Sequence, residues 1–149
     1  MQKCQMSKVR LKQYLALKRE APKLKKDIDK LYTRLDNVPT VSGKVQKSGD
    51  DFPYIEEHLT VEMDEPVVAT EIKKQIRIKE KRLEDVEMET TVIDQFIAGI
   101  EDSTDRQIFE LSFINGMKQQ DVADIVKLDR SRISRRIDAE LKNAHKAQK

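Results

Sequence analysis

The sequence predicts an all-α protein: a long-helix hairpin or coiled coil carrying a short irregular or β-hairpin insert, followed by a three-helix module. Three observations carry that reading. Two stretches repeat apolar residues at alternating steps of three and four, the spacing that lines one face of a helix. The 149 residues include only 4 Gly and 4 Pro, too few turn formers for a β-sandwich or barrel. After Ile100 three shorter apolar patterns follow, each set off by a cap or turn signal.

The first stripe is Tyr14, Leu17, Ala21, Leu24, Ile28, Leu31, Leu35 and Val38. Pro22 lies within it and either opens a new helix after Ala21 or kinks a longer one. The second stripe is Ala69, Ile72, Ile76, Lys79, Leu83, Val86, Thr90, Ile93, Ile97 and Ile100, with Lys79 and Thr90 its only polar members. A helix of that length extends about 48 Å. Leucines and isoleucines on either stripe cost roughly 1.5–3 kcal/mol each if left in water, so each stripe needs a partner. The similar periods make the other stripe the natural one, in an antiparallel hairpin, with pairing between chains as the alternative.

The insert at about 37–65 has a different texture. It holds Pro39, Pro53, Gly43, Gly49 and the polar run from Lys44 to Asp51, which breaks the helix. Leu59, Val61 and Met63 alternate with polar residues, a signal for one short strand, so the insert is either flexible or a β-hairpin arm. Phe52, Tyr54 and Ile55 are placed to cap the helix ends, and His58 reads as an ordinary loop residue.

These features divide the chain into a helical part over 1–100 and a second domain over 101–149. Thr104 and Gln107 fit a capping box at the start of the latter. A helix through Ile108, Leu111 and Phe113 ends at Asn115-Gly116, and a short helix with Val122, Ala123 and Val126 inward follows. Asp129 then caps a last helix that buries Ile133, Ile137, Leu141 and Ala144.

Composition and spacing exclude several function classes. The longest apolar run falls far short of the ~20 residues needed to cross a bilayer, and the N-terminus lacks the apolar core of a signal peptide, so the expectation is a cytoplasmic protein with no membrane partner. One cysteine, Cys4, and two separated histidines, His58 and His145, offer no disulfide and no zinc spacing; no metal and no cofactor are expected. No Gly-rich phosphate loop or Ser/His or Cys/His pairing is visible, and the carboxylates fall beside lysines on helix faces, so the chain is not expected to be an enzyme.

Charge points elsewhere. The net charge is only +2, yet residues 127–149 hold eight Lys and Arg against three Asp and Glu, directly after an acidic block. A basic tail of this kind suits a polyanion. With Ile133 and Ile137 inward, the last helix turns Ser131, Arg135, Asp138 and Lys142 to the opposite face, flanked by Arg132, while Arg130 and Arg136 lie toward the edges, where duplex phosphates would pass. Guanidinium forks pair with guanine edges or phosphates, and a serine contacts either. Three helices with a tight turn between the second and third form a helix-turn-helix, whose last helix enters the major groove. The candidate DNA-binding residues are therefore Arg130, Ser131, Arg132, Ser134, Arg135, Arg136 and Lys142.

The segment from Ser103 to about His145, under a third of the chain, resembles region four of bacterial sigma factors and the phage-encoded regulators that reuse that module. The resemblance rests on Ile108, Leu111 and Phe113, then Asn115-Gly116, then Val122-Ala123, then Ile133-Ser134-Arg135-Arg136-Ile137. Two positions depart from the pattern: Lys127 stands where a turn glycine is usual, and Lys118 where Ser or Thr commonly caps the second helix. The resemblance implies recognition of a promoter element in double-stranded DNA and, often, contact with RNA polymerase. The expected function is a sequence-specific transcriptional regulator of phage or prophage type, favoured as a dimer. The alternatives are a small-terminase-like packaging protein and an RNA polymerase-binding adaptor.

Overall fold

A computed structural model describes residues 5–47, 57–64 and 66–147, with 40–47, 57–64 and 66 described by their backbone. The regular elements among the described residues are helices and one two-stranded antiparallel sheet. The elements are α1 (Lys8–Lys12), α2 (Tyr14–Asp36), β1 (Thr40–Lys47), β2 (Glu57–Asp64), α3 (Pro66–Ala98), α4 (Ser103–Phe109) continued by a π-helical turn (Glu110–Ile114), α5 (Gln119–Val126) and α6 (Arg130–Ala147). Cys4 and the trio Phe52, Tyr54 and Ile55 lie outside the described residues.

The chain divides into two compact units, residues 24–82 and residues 1–23 with 83–149. The division differs from the boundary expected at residue 100. The N-terminal residues belong with the C-terminal helices because Met6, Leu11 and Tyr14 are buried and the His145 Nε2 is 2.8 Å from the Met6 carbonyl, which accepts its hydrogen bond.

In the 24–82 unit the stripes are buried as their spacing requires. Leu31 and Val38 form one cluster with Ile72 and Ile76, and half-buried Leu35 packs against it. The polar member Lys79 bonds Asp27 through Nζ at 3.3 Å, and the Tyr32 hydroxyl donates to Glu80 at 2.8 Å. The insert is more regular than its composition indicates. β1 and β2 pair from Thr40 opposite Asp64 to Lys47 opposite Glu57, so the first part of the polar run is strand. His58, expected in a loop, lies in β2 opposite Gln46.

In the other unit the helix break falls at Gln13 and not at Pro22. Ser7 caps α1 by accepting from the Arg10 amide at 3.2 Å, the Gln13 amide folds back to the Arg10 carbonyl, and α2 continues through Pro22. Proline removes one intrahelical donor, but Pro22 is exposed, where water satisfies the freed carbonyl. Arg10 forks onto both carboxylate oxygens of Glu89, which holds that carboxyl below its ordinary range. The Tyr14 hydroxyl, pushed up to about 12 by burial and by Asp94, donates to Asp94 at 2.7 Å. Thr90, the polar residue within the α3 stripe, is satisfied by donating to the Glu87 carbonyl at 2.9 Å.

The connections among α4, α5 and α6 are set by caps. Asp102 caps α4 by accepting from the Asp105 amide at 3.0 Å; the expected Thr104–Gln107 box is not made, and Gln107 instead reaches Ser103. Asp102 wins because a carboxylate at a helix N-terminus gains from the exposed amides and the helix dipole together. The π-helical turn lets Phe109 and Phe113 both face inward, where Phe109 also meets Phe96 edge-on. Gly116, at φ +70°, ends it, and a Cβ there would press on the end of the Leu15 side chain. Lys127 takes the left-handed conformation, φ 58°, at the end of α5, so the turn keeps the geometry a glycine would provide without having one.

These two turns give opposite expectations in thermal melts. Replacing Gly116 with Ala adds left-handed strain while the end of the Leu15 side chain gives way, and should cost about 1–2 kcal/mol. Replacing Lys127 with Gly relieves strain with little loss of packing, and should stabilise by about 0.5–1 kcal/mol. A higher melting temperature for the first variant, or a lower one for the second, would refute the turn geometry.

Candidate nucleic-acid interface

The candidate surface is created by what α6 must hide. Ile133 and Ile137 are fully buried and Leu141 nearly so, each contributing about 1.5–3 kcal/mol. That stripe fixes the rotation of the helix. α5 supplies the opposing wall with Val122 and Ala123, and the small side chain of Ala123 permits a close crossing. Between them Lys127 and Leu128 both donate backbone amides to the Ala123 carbonyl, and α6 starts with the Ile133 amide on the Asp129 carbonyl at 3.1 Å.

With the rotation fixed, five of the seven sequence-identified residues share exposure. Arg130, Ser131, Arg132, Arg135 and Lys142 are all exposed. Among the described residues none of the four cations in that set is engaged in an ion pair. Lys127 and Lys146, exposed at the turn and near the far end of α6, add to the positive surface, and Asp138 is the acid within it. Ser134 is half-buried at the side of the helix.

Arg136 belongs to a different neighbourhood. Its guanidinium bonds Asp105 at 2.9 Å and Asp102 at 3.2 Å, and the Asp105 hydrogen bond is the main reason its pKa is raised. The position toward a phosphate-lined edge expected for it is thus taken up by an intrachain ion pair. No local pattern signals this, since the partners lie 31 and 34 residues earlier. One turn further along α6, Glu140 shares a hydrogen bond with Asp105, is partly desolvated, and is repelled by Asp105, Asp102 and Glu101; together these push its carboxyl up to about 7. Arg106, also without a sequence signal, donates through Nη2 to the Ile100 carbonyl at 2.7 Å, tying the end of α3 to the start of α4.

One flank of α6 is therefore an acid cluster locked by a single arginine, and the outward face is a free basic surface. Such a surface can attract and contact a polyanion; the acid flank cannot. Among the described residues no helix is long and apolar enough to cross a membrane.

Glu140 gives the unit a pH dependence. A carboxyl that is easier to protonate folded than unfolded adds stability below its ordinary value of 4.5, and that stability is lost as pH rises through about 7. Replacing Glu140 with Gln should raise the melting temperature at pH 8 by about 1–3 °C, the size left after solvent screening, and the difference should vanish or reverse near pH 4.5. The same offset at both pH values would show that Glu140 and Asp105 share no proton. No protein-family model matches the chain, and no curated protein or solved structure matches it.

Proposed function

We propose that the chain is a sequence-specific regulator of transcription that binds double-stranded DNA, with α5 and α6 as a sigma-region-four-like helix-turn-helix and α6 as its recognition helix. The observation that carries this reading is the exposed, unpaired basic face of α6 behind a fully buried Ile133–Ile137 stripe. A rigid helix with arginines and a serine aimed outward has the chemistry that guanine edges and phosphates require. The left-handed Lys127 between α5 and α6 supports the same reading, because a tight turn is what sets the two helices at the angle a groove accepts. In this reading α2 and α3 form an antiparallel helical hairpin, a view favoured by the Lys79–Asp27 and Tyr32–Glu80 contacts.

Within the recognition helix, Ser131 and Arg135 read base edges, while Arg130, Arg132 and Lys142 hold phosphates. Arg136 has a supporting part: it keeps α6 against α4 by neutralising Asp102 and Asp105.

The test selects a binding site from a random duplex library and follows affinity by fluorescence anisotropy. Replacing Arg135 with Ala should weaken the selected site by about 1–3 kcal/mol and leave random duplex nearly unchanged. Lys142→Ala should weaken both alike and lower the salt slope by about one unit. Arg136→Ala should lower the melting temperature, with any loss of affinity following from that. If Arg135→Ala and Lys142→Ala both bind as the parent does, α6 is not a recognition helix, and the polymerase-adaptor reading takes its place.

A further inference from the structure

A second feature of the unit formed by 1–23 and 83–149 shares only Arg130 with the basic face of α6: a cavity of about 440 Å³ beside α1, the π-helical turn and the start of α5. Three cations line it, Lys8, Lys12 and Arg130, and among the described residues none is engaged with an acid. Three like charges around one hollow repel each other unless an anion lies between them.

Two further observations point the same way. Ser112 lines the cavity, and its hydroxyl oxygen is buried with no hydrogen-bond partner among the described residues. A buried hydroxyl without a partner is unfavourable, and a ligand oxygen that reached it would relieve that loss. Gln119, also on the wall, is the first residue of α5, whose N-cap Lys118 offers no side-chain acceptor. The first amides of α5 are therefore not satisfied by a cap and carry the partial positive charge of a helix N-terminus. The rest of the lining is apolar, with Leu15, Phe113 and Met117.

We propose that this cavity binds a small organic phosphate: the phosphoryl group lies among Lys8, Lys12, Arg130 and the start of α5, and its apolar or aromatic body rests on Phe113, Leu15 and Met117. The volume suits a molecule the size of a mononucleotide, well above that of a bare inorganic anion. The same phosphoryl chemistry is present in a DNA backbone, but a duplex edge is convex and cannot fill a hollow with apolar walls. The proposal does not depend on the DNA reading, because its test contains no DNA in the primary arm.

That arm is calorimetric titration of the full chain at low salt with adenosine 5′-monophosphate, phenyl phosphate, inorganic phosphate and adenosine. One site is expected for the two organic phosphates, at least about tenfold tighter than for inorganic phosphate or adenosine. Lys12→Gln should weaken them about tenfold, with a melting temperature without ligand near that of the parent, and Ser112→Ala should weaken them at least about fivefold while raising that melting temperature, since it removes a buried hydroxyl without a partner. Titration of both organic phosphates without binding up to about 10 mM would overturn the proposal. Equal affinity for inorganic phosphate, or unchanged affinity in Lys12→Gln, would overturn it as well. In a second arm, random duplex is titrated into the parent and Lys12→Gln. Loss of duplex affinity in that variant, with no organic phosphate bound by the parent, would assign the cations to a DNA backbone and also overturn it.

Discussion

The burial of Ile133, Ile137 and Leu141 is the constraint on which the rest of the terminal region depends. Those three residues recur at i, i+4 and i+8, so hiding them leaves α6 one rotation, and every other side chain on the helix is placed as a consequence. Arg132, Arg135 and Lys142 face water because they have no other place, and Arg136 and Glu140, each one residue before a buried position, fall at the seam with α4. The basic face needs no dedicated scaffold. It is the back of an apolar stripe, and its charges cost little to display because they remain hydrated.

The same logic accounts for which parts of the structure the sequence revealed. Both long stripes were legible because a three-four repeat sustained over eight or ten positions arises from little besides an amphipathic helix, and even their polar members have partners, Asp27 on α2 for Lys79 and the nearby Glu87 carbonyl for Thr90. Met6 was not legible. It is buried but lies before the Ser7 cap, where no period reaches it, whereas Leu11, three residues before Tyr14, keeps the spacing of the α2 stripe across the break at Gln13. Phe109 escaped for a related reason: the π-helical turn at Glu110–Ile114 shifts the phase, and a wheel drawn at 3.6 residues per turn places Leu111 inward, where it is in fact half-exposed.

Around the terminal helices the legible and illegible parts follow the range of the interactions. Gly116 and the left-handed turn at its position could be foreseen, since Asn-Gly is a local signal. The cap of α4 was foreseen in kind but placed two residues late, because Asp102, Ser103 and Thr104 all qualify by type and only the packed structure selects among them. The engagement of Arg136 was out of reach. An arginine followed by an isoleucine on a basic helix has the same local appearance whether it faces solvent or two aspartates more than thirty residues earlier.

That engagement also makes the two flanks of α6 work in opposite senses. Glu101, Asp102, Asp105 and Glu140 gather on one flank, where the Asp105 hydrogen bond, burial and the neighbouring charges push the Glu140 carboxyl up to about 7, and Arg136 is the cation set among them. A salt bridge as exposed as the Arg136–Asp102 contact contributes about 0–1 kcal/mol alone, yet removing the arginine from between two carboxylates adds their repulsion to the loss. The acid flank would repel a duplex from that side, while the outward face would draw it in. The charge segregation seen along the sequence thus becomes a segregation around a single helix, and in the proposed function that asymmetry would orient the module on DNA before any base is read.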